Sequence, residues 1–184
     1  MADAFTSLQG RLLIAGPSLL DPNFFRTVVL IAEHTPLGAM GVVLNRPTPL
    51  RVADAVPVLA DVVEGEAFVH LGGPVQPEAV IALGEFRDPT QAAALILDDL
   101  GFLPGDADPA TVSDDLRRAR VFSGYAGWDA EQLEAELAQD AWIVEPAQVD
   151  DVFADAAELW SRVLERKGGT YRLLARMPVD PSVN

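Results

Sequence analysis

The chain has 184 residues, enough for one domain with one apolar core, and its 49% hydrophobic and 22% charged residues are typical of a globular protein. The net charge of −15 disfavours contact with nucleic-acid phosphates or anionic lipid, so we expect neither direct nucleic-acid binding nor membrane association. The sequence has no cysteine, which excludes disulfides, thiol nucleophiles and thiolate metal sites. Together with the lack of a signal-peptide pattern at the start, this indicates a cytoplasmic location.

The first part of the chain contains a predicted hairpin. Residues 27–33 (TVVLIAE) and 39–44 (AMGVVL) are apolar and rich in β-branched side chains, as is typical of buried strands. Residues 34–38 predict a turn, and such a short connection makes the two strands antiparallel. An irregular start at residues 1–9, a buried strand at 11–15 and a helical turn after Asp21-Pro22 are expected before it.

Shorter elements are predicted in the middle of the chain. Residues 50–59 have the spacing of a short or kinked helix, and three apolar runs predict strands at 67–71, 79–84 and 93–97. Residues 103–113 are rich in proline, glycine and aspartate and predict the longest loop.

The last third contains the clearest helices. A strand at 120–122 leads into a predicted glycine-rich turn at 123–128, a helix at 129–139 and a strand at 141–144. Residues 151–167 follow the 3.6-residue period, and a short helix after Thr170 is expected to end before a tail at 178–184. Strands outnumber helices without strict alternation. We therefore expect one α+β domain over residues 1–184, with a large mixed, mostly antiparallel sheet flanked by helices.

Five segments of the chain resemble the YqgE/AlgH family of bacterial proteins. In order they are GRLLIAGPSLLDPNFFRTVVLIAEH, GAMGVVLNRP, GGPV, FSGYAGW and QLEAEL with Trp142. The resemblance implies an α+β fold around a large mixed sheet in a cytosolic protein, and one branch of the family is labelled as transcriptional regulators. Members commonly have glycine before the Gln-Leu-Glu, where this chain has Glu131, and this departure argues against a ligand at that helix start.

A candidate anion site lies at the open end of the predicted hairpin. There Arg26 comes opposite Asn45 and Arg46, and two guanidinium groups with an amide would bind a carboxylate or phosphate. The alternative is structural: the arginines pair with nearby acids such as Asp21 or Asp54, and Asn45 shapes the turn before the following proline.

Two histidines are candidates for acid–base chemistry. His34 is eight residues from Arg26, which is about 26 Å along an extended strand, so the two cannot act on one reacting atom. We therefore expect His34 to be a turn or surface residue, and His70, which lies in the predicted strand before Gly72-Gly73, is treated as a structural surface residue in the same way.

The glycine-rich segment with Ser123, Tyr125 and Trp128 is the second candidate for ligand binding. A strand, a turn and a helix in sequence can present backbone N–H groups to an anion. Acidic residues in the first helical turn oppose this, and the segment lacks the G-x-S-x-G order of a hydrolase nucleophile. The structural alternative is that the glycines allow close approach to another strand while the two aromatic residues anchor the segment.

No metal or cofactor is expected. The acids around Asp106 and Asp114 do not have EF-hand spacing, and Gly72-Gly73 lacks the third glycine of a dinucleotide-binding loop. Lys167 is the only lysine and lies at a predicted helix end, which argues against Schiff-base and P-loop chemistry.

Three function classes remain. The first is a non-enzymatic regulatory or interaction protein, in which the acidic surface binds a protein partner and apolar strand edges allow self-association. The second is a small anionic-metabolite-binding protein or enzyme that uses Arg26, Asn45 and Arg46. The third, direct DNA binding, is disfavoured because the one basic cluster, at residues 117–120, is flanked by acids and has no helix-turn-helix spacing. No catalytic constellation is recognisable, which favours the first class.

Overall fold

A ten-stranded sheet organises the chain in the computed structural model, which describes residues 5–179. The first four residues of the predicted irregular start and residues 180–184 of the predicted tail lie outside the described part. The strands are β1 (Arg11–Ala15), β2 (Val28–Thr35), β3 (Gly38–Val43), β4 (Pro47–Arg51), β5 (Phe68–Leu71), β6 (Val75–Phe86), β7 (Ala94–Leu97), β8 (Leu100–Phe102), β9 (Leu116–Asp129) and β10 (Trp142–Pro146).

The sheet is mixed and mostly antiparallel, as predicted. Its main path runs β10-β1-β2-β3-β9-β6-β8-β7, and β4 is attached through β5, which pairs with β9. Among the described strands only the β5–β9 pair is parallel. The predicted hairpin is the β2–β3 pair, in which Val29 lies opposite Val43 and Thr35 opposite Gly38.

Helices flank the sheet. They are α1 (Val52–Ala55), α2 (Pro109–Asp115), α3 (Gln132–Ala138), α4 (Val149–Val152), α5 (Ala156–Lys167) and α6 (Tyr171–Ala175). The longest, α5, buries an apolar stripe formed by Leu159, Trp160, Val163 and Leu164 at helical spacing. None of the helices within residues 5–179 is long and apolar enough to cross a bilayer.

Alternate residues of the central strands pack on opposite faces of the sheet. In β1, Leu12 and Ile14 join the cluster that contains the apolar stripe of α5, whereas Leu13 joins the cluster around Trp128 and Trp142. All three β1 side chains are fully buried. The sheet beside the β2–β3 hairpin is therefore covered by packed side chains on both faces.

The long strand β9 corrects one prediction. Residues 123–128, predicted as a glycine-rich turn, continue a strand of 14 residues. Gly124 has φ +70°, and a Cβ there would lie 2.5 Å from the carbonyl oxygen of Gly73. Glycine is needed because two backbones approach closely at this point, which agrees with the structural alternative for this segment.

Three further elements differ from the predictions. The predicted helix at 50–59 is instead the end of β4 followed by α1 and a 3-10 turn at Pro57–Leu59. The predicted loop at 103–113 includes most of α2, whose first turn is capped by the Asp108 side chain accepting from the Ala110 amide at 3.2 Å. The predicted strand at 93–97 is followed by a short partner, β8, that was not predicted.

Candidate functional site

The Asn45 side chain closes the open end of the β2–β3 hairpin. Its Oδ1 accepts from the Val28 amide at 2.9 Å, and its Nδ2 donates to the Arg26 carbonyl oxygen at 2.9 Å. The amide thus takes the place of a peptide group in the strand ladder, and it is 93% buried, being 7% exposed. This fixes the backbone of Arg26, whose φ of 55° is in the left-handed region.

The Arg26 guanidinium lies on the face of Trp160, with its central carbon 4.3 Å from the ring centroid. Its Nη2 donates to the carbonyl oxygens of Met177 and of Pro178, the latter at 2.8 Å. A guanidinium has five N–H groups, so two such bonds leave three donors for another acceptor.

The Arg46 guanidinium donates from Nη2 to the carbonyl oxygen of Phe25, the residue before Arg26. This bond leaves four N–H groups of Arg46. Neither Arg26 nor Arg46 has a carboxylate within 4.0 Å among residues 5–179, so the predicted pairing with Asp21 or Asp54 is wrong. Asp54 pairs instead with Arg51 at 3.1 Å.

The charge state of the two arginines follows from their surroundings. Burial lowers the pKa of both Arg26 and Arg46 from the ordinary value, with no carboxylate to raise it again. Guanidinium groups nevertheless remain protonated at neutral pH. Two partly buried positive charges thus lie together in a chain whose net charge is −15.

These residues line a cavity of about 440 Å³, here called the hairpin-end cavity. Its opposite wall is the first turns of α5, with Ala156, Trp160 and Ser161. The volume lies in the range of small-molecule sites. The cavity is thus lined by two guanidinium groups that have further N–H donors and by an aromatic residue, and its described lining contains no carboxylate.

The other predicted site residues lie elsewhere. Ser123 donates its hydroxyl to the carbonyl oxygen of Pro77, and Tyr125 pairs with Val75 between β9 and β6. Trp128 is buried, and its Nε1 donates to Glu136 Oε2 at 2.9 Å. None of Ser123, Tyr125 and Trp128 lines the hairpin-end cavity.

His34 is buried in β2, so its prediction as a turn or surface residue is wrong. It is 6% exposed, because the first described residues cover it: the Leu8 amide donates to its Nδ1 at 3.0 Å. Since Nδ1 accepts, Nε2 carries the proton and donates to Glu134 Oε1 at 3.0 Å. Both ring nitrogens have protein partners, so His34 has no lone pair left for a substrate.

His70 is also buried, at 7% exposure, and it lines a second cavity of about 440 Å³ with Arg118 and Arg120, here called the His70 cavity. Its Nδ1 lies 3.2 Å from the Phe68 carbonyl oxygen, which can only accept, so the proton is on Nδ1. Burial and the nearby Arg120 charge lower the pKa of His70 to about 4. The prediction of a surface His70 is therefore wrong.

The sequence did contain a signal for the His70 cavity. Arg118 and Arg120 are two residues apart in a strand and must share a face, as strand periodicity requires. What the sequence could not show is that His70 of β5 lies beside that face.

A large mixed sheet with an arginine-lined cavity at its hairpin end defines an α+β protein with a candidate site for a small anion. The AlgH-like family model (DUF179) matches residues 12–172. The chain belongs to this family, which confirms the resemblance seen in the sequence.

Similar proteins cover nearly the whole chain. A UPF0301 protein of Thermobifida fusca is 46% identical over 190 residues, covering 97% of this chain and 96% of that protein. A UPF0301 protein of Chlorobium limicola is 38% identical over the full length of both.

Two solved structures are similar in fold. A crystal structure of a Corynebacterium diphtheriae protein has a TM-score of 0.86 at 26% identity and 94% coverage of each chain. The solution structure of the AlgH protein from Pseudomonas aeruginosa has a TM-score of 0.71 at 31% identity, covering 98% of this chain and 99% of that one.

Proposed function

We propose that this protein binds a small anionic metabolite, one with a carboxylate or phosphate group, in the hairpin-end cavity. The observation that carries the proposal is that Arg26 and Arg46 line one cavity without a carboxylate partner in the described chain. Arg51, Arg117, Arg118 and Arg166 each contact a carboxylate within 4.0 Å, and the other arginines without such a contact do not line this cavity.

An anion in the hairpin-end cavity would interact favourably with both guanidinium groups, each of which is partly buried and has no carboxylate partner among residues 5–179. The remaining N–H donors of both guanidiniums can form bidentate, charge-assisted bonds to a carboxylate or phosphate. Asn45 supports the site by fixing the Arg26 backbone rather than by contacting the ligand.

The proposal is for binding rather than for turnover. The side chains on the described lining are donors and apolar groups, with the Ser161 hydroxyl as the single hydroxyl group. Carboxylates and imidazoles, the commonest general bases, are not among the described lining residues.

A thermal-shift assay with inorganic phosphate, pyrophosphate, succinate and citrate tests the proposal. We expect at least one of these anions to raise the melting temperature of the wild type, since binding to the folded state alone stabilises it. Arg46→Gln should abolish that rise. Arg87→Gln is the matched control, because Arg87 is exposed and lies outside the hairpin-end cavity, and it should keep the rise.

Either of two results would overturn the proposal. One is that no anion of the panel raises the melting temperature. The other is that Arg46→Gln, shown by circular dichroism to be folded, responds like the wild type.

A regulatory or interaction role is the second candidate, and one contact favours it. Arg26 lines the cavity and also holds the carbonyl oxygens of Met177 and Pro178 near the end of the described chain. An anion that competes for Nη2 would weaken those two bonds and change the surface formed by this segment. Hydrogen exchange of the amides of residues 174–177 and 179 with and without the active anion measures the effect; we expect faster exchange on binding, and unchanged exchange would contradict this role.

A further inference from the structure

A third cavity, of about 270 Å³, adjoins the hairpin-end cavity and differs from it in polarity; it is here called the apolar cavity. Among the described residues Arg26 is its only charged lining residue, and the rest of the wall is mainly carbon, including Pro17, Leu20, Leu174 and Met177. None of its lining residues other than Arg26 was predicted from the sequence as a site residue.

The two cavities are neighbours that share four lining residues. Arg26 and Trp160, stacked at 4.3 Å, line both, as do Phe25 and Val179. A molecule that extends past this shared wall could place a negative group at Arg26 and an apolar part in the apolar cavity.

The wall of the apolar cavity is more exposed than most apolar side chains of this protein. Leu20 is 73% exposed, Val179 68% and Met177 49%. Apolar surface gathered at the mouth of a cavity commonly marks a ligand site, because an apolar occupant removes that surface from water.

We propose that the ligand is amphipathic: a carboxylate or phosphate head bound by Arg26 and Arg46, and an unbranched hydrocarbon tail in the apolar cavity. This inference rests on the proposed function and adds the class of the ligand. At roughly 30 Å³ for each group the size of a water or methylene, a volume of 270 Å³ holds a tail of about nine carbons.

Calorimetric titration with the sodium n-alkanoates from acetate to dodecanoate, below their micelle concentrations, tests the tail. We expect the affinity of the wild type to rise roughly fourfold with each added methylene and to level off at about ten carbons, the carboxylate carbon included. Octanol, which has the tail without the charge, should bind much more weakly than octanoate.

Variants separate the two parts of the ligand. Leu20→Asp places a carboxylate at the mouth of the apolar cavity and should remove the dependence on chain length while acetate binding stays. Leu37→Asp is its matched control, because Leu37 is 87% exposed in the β2–β3 turn, and it should keep that dependence. Arg46→Gln should weaken the binding of every member of the series.

The outcomes distinguish this inference from the proposed function. If octanoate binds no more tightly than acetate, or if Leu20→Asp keeps the full dependence on chain length, the amphipathic ligand is refuted and the anion site stands. If phosphate, pyrophosphate, succinate, citrate and every alkanoate fail to bind, both are refuted. Octanol that binds as tightly as octanoate would refute the anchoring of the head by the arginines.

Discussion

Acidification should destabilise this protein through His70, and the size of the effect follows from its burial. The pKa of His70 is about 4 in the folded chain, against a reference value of 6.5, mainly because burial disfavours the imidazolium and secondly because of Arg120. The unfolded chain therefore binds the proton more readily, and stability rises with pH across the window from about 4 to 6.5. With these two pKa values, the unfolding free energy falls by about 2 kcal/mol between pH 7 and pH 5.

The assay is urea unfolding of the wild type and of His70→Gln at both pH values. Carboxylates contribute equally to both proteins, so the difference between the two pH dependences isolates His70. We expect the wild type to lose about 2 kcal/mol more than the variant on going from pH 7 to pH 5. Equal losses in the two proteins would refute the assignment of His70 as a buried neutral imidazole.

Three further outcomes are expected. Asn45→Ala should lower the unfolding free energy by about 2–3 kcal/mol in urea, because it leaves the buried Val28 amide without an acceptor; a loss below about 0.5 kcal/mol would contradict the ladder role of the side chain. Glu131→Gly should stabilise by about 0.5–1 kcal/mol, since Glu131 has φ 64° and glycine relieves that left-handed conformation, whereas Ala135→Gly inside α3 should destabilise. Duplex DNA should give no gel shift at physiological salt, and a shift with a steep salt dependence would oppose the argument from the net charge of −15.

The departure at Glu131 has a structural explanation. This residue is the N-cap of α3 and has φ 64° and ψ −5°, a conformation in which glycine has no Cβ penalty. The glycine that resembling proteins commonly carry there therefore suits the backbone, and it does not by itself indicate a ligand at that helix start.

Elements whose pattern lies within one segment could be predicted from the sequence. The apolar β-branched runs predicted the β2–β3 hairpin, and the 3.6-residue period predicted α5 with Gly168 just after its end. Hairpin register is a local property, so the proximity of Arg26 to Asn45 could also be inferred from the sequence.

Features that depend on contacts between distant segments could not be predicted from the sequence. The glycines around Gly124 predicted a turn, since glycine is common in turns. The sequence does not show that the Gly73 backbone passes beside Gly124, which is the reason that glycine is needed there. His34 was predicted at the surface because the sequence does not show that Leu8, 26 residues earlier, packs over it and bonds to its ring. The hairpin-end cavity likewise has one wall formed by Trp160 and neighbouring residues of α5, more than 100 residues beyond the hairpin.

The pairing of β1 with β10 has a consequence for synthesis of the chain. Arg11 lies opposite Pro146 and Ala15 opposite Trp142, so one edge of β1 has no partner until most of the protein has left the ribosome. During that interval the apolar β1–β2 pair presents an open strand edge, the kind of surface that promotes aggregation of nascent chains. Contacts this distant in sequence also slow folding, since a long loop must close before they form. The β1 edge is therefore covered only when β10 has been synthesised and pairs with it, and aggregation of the nascent chain through this edge is then prevented.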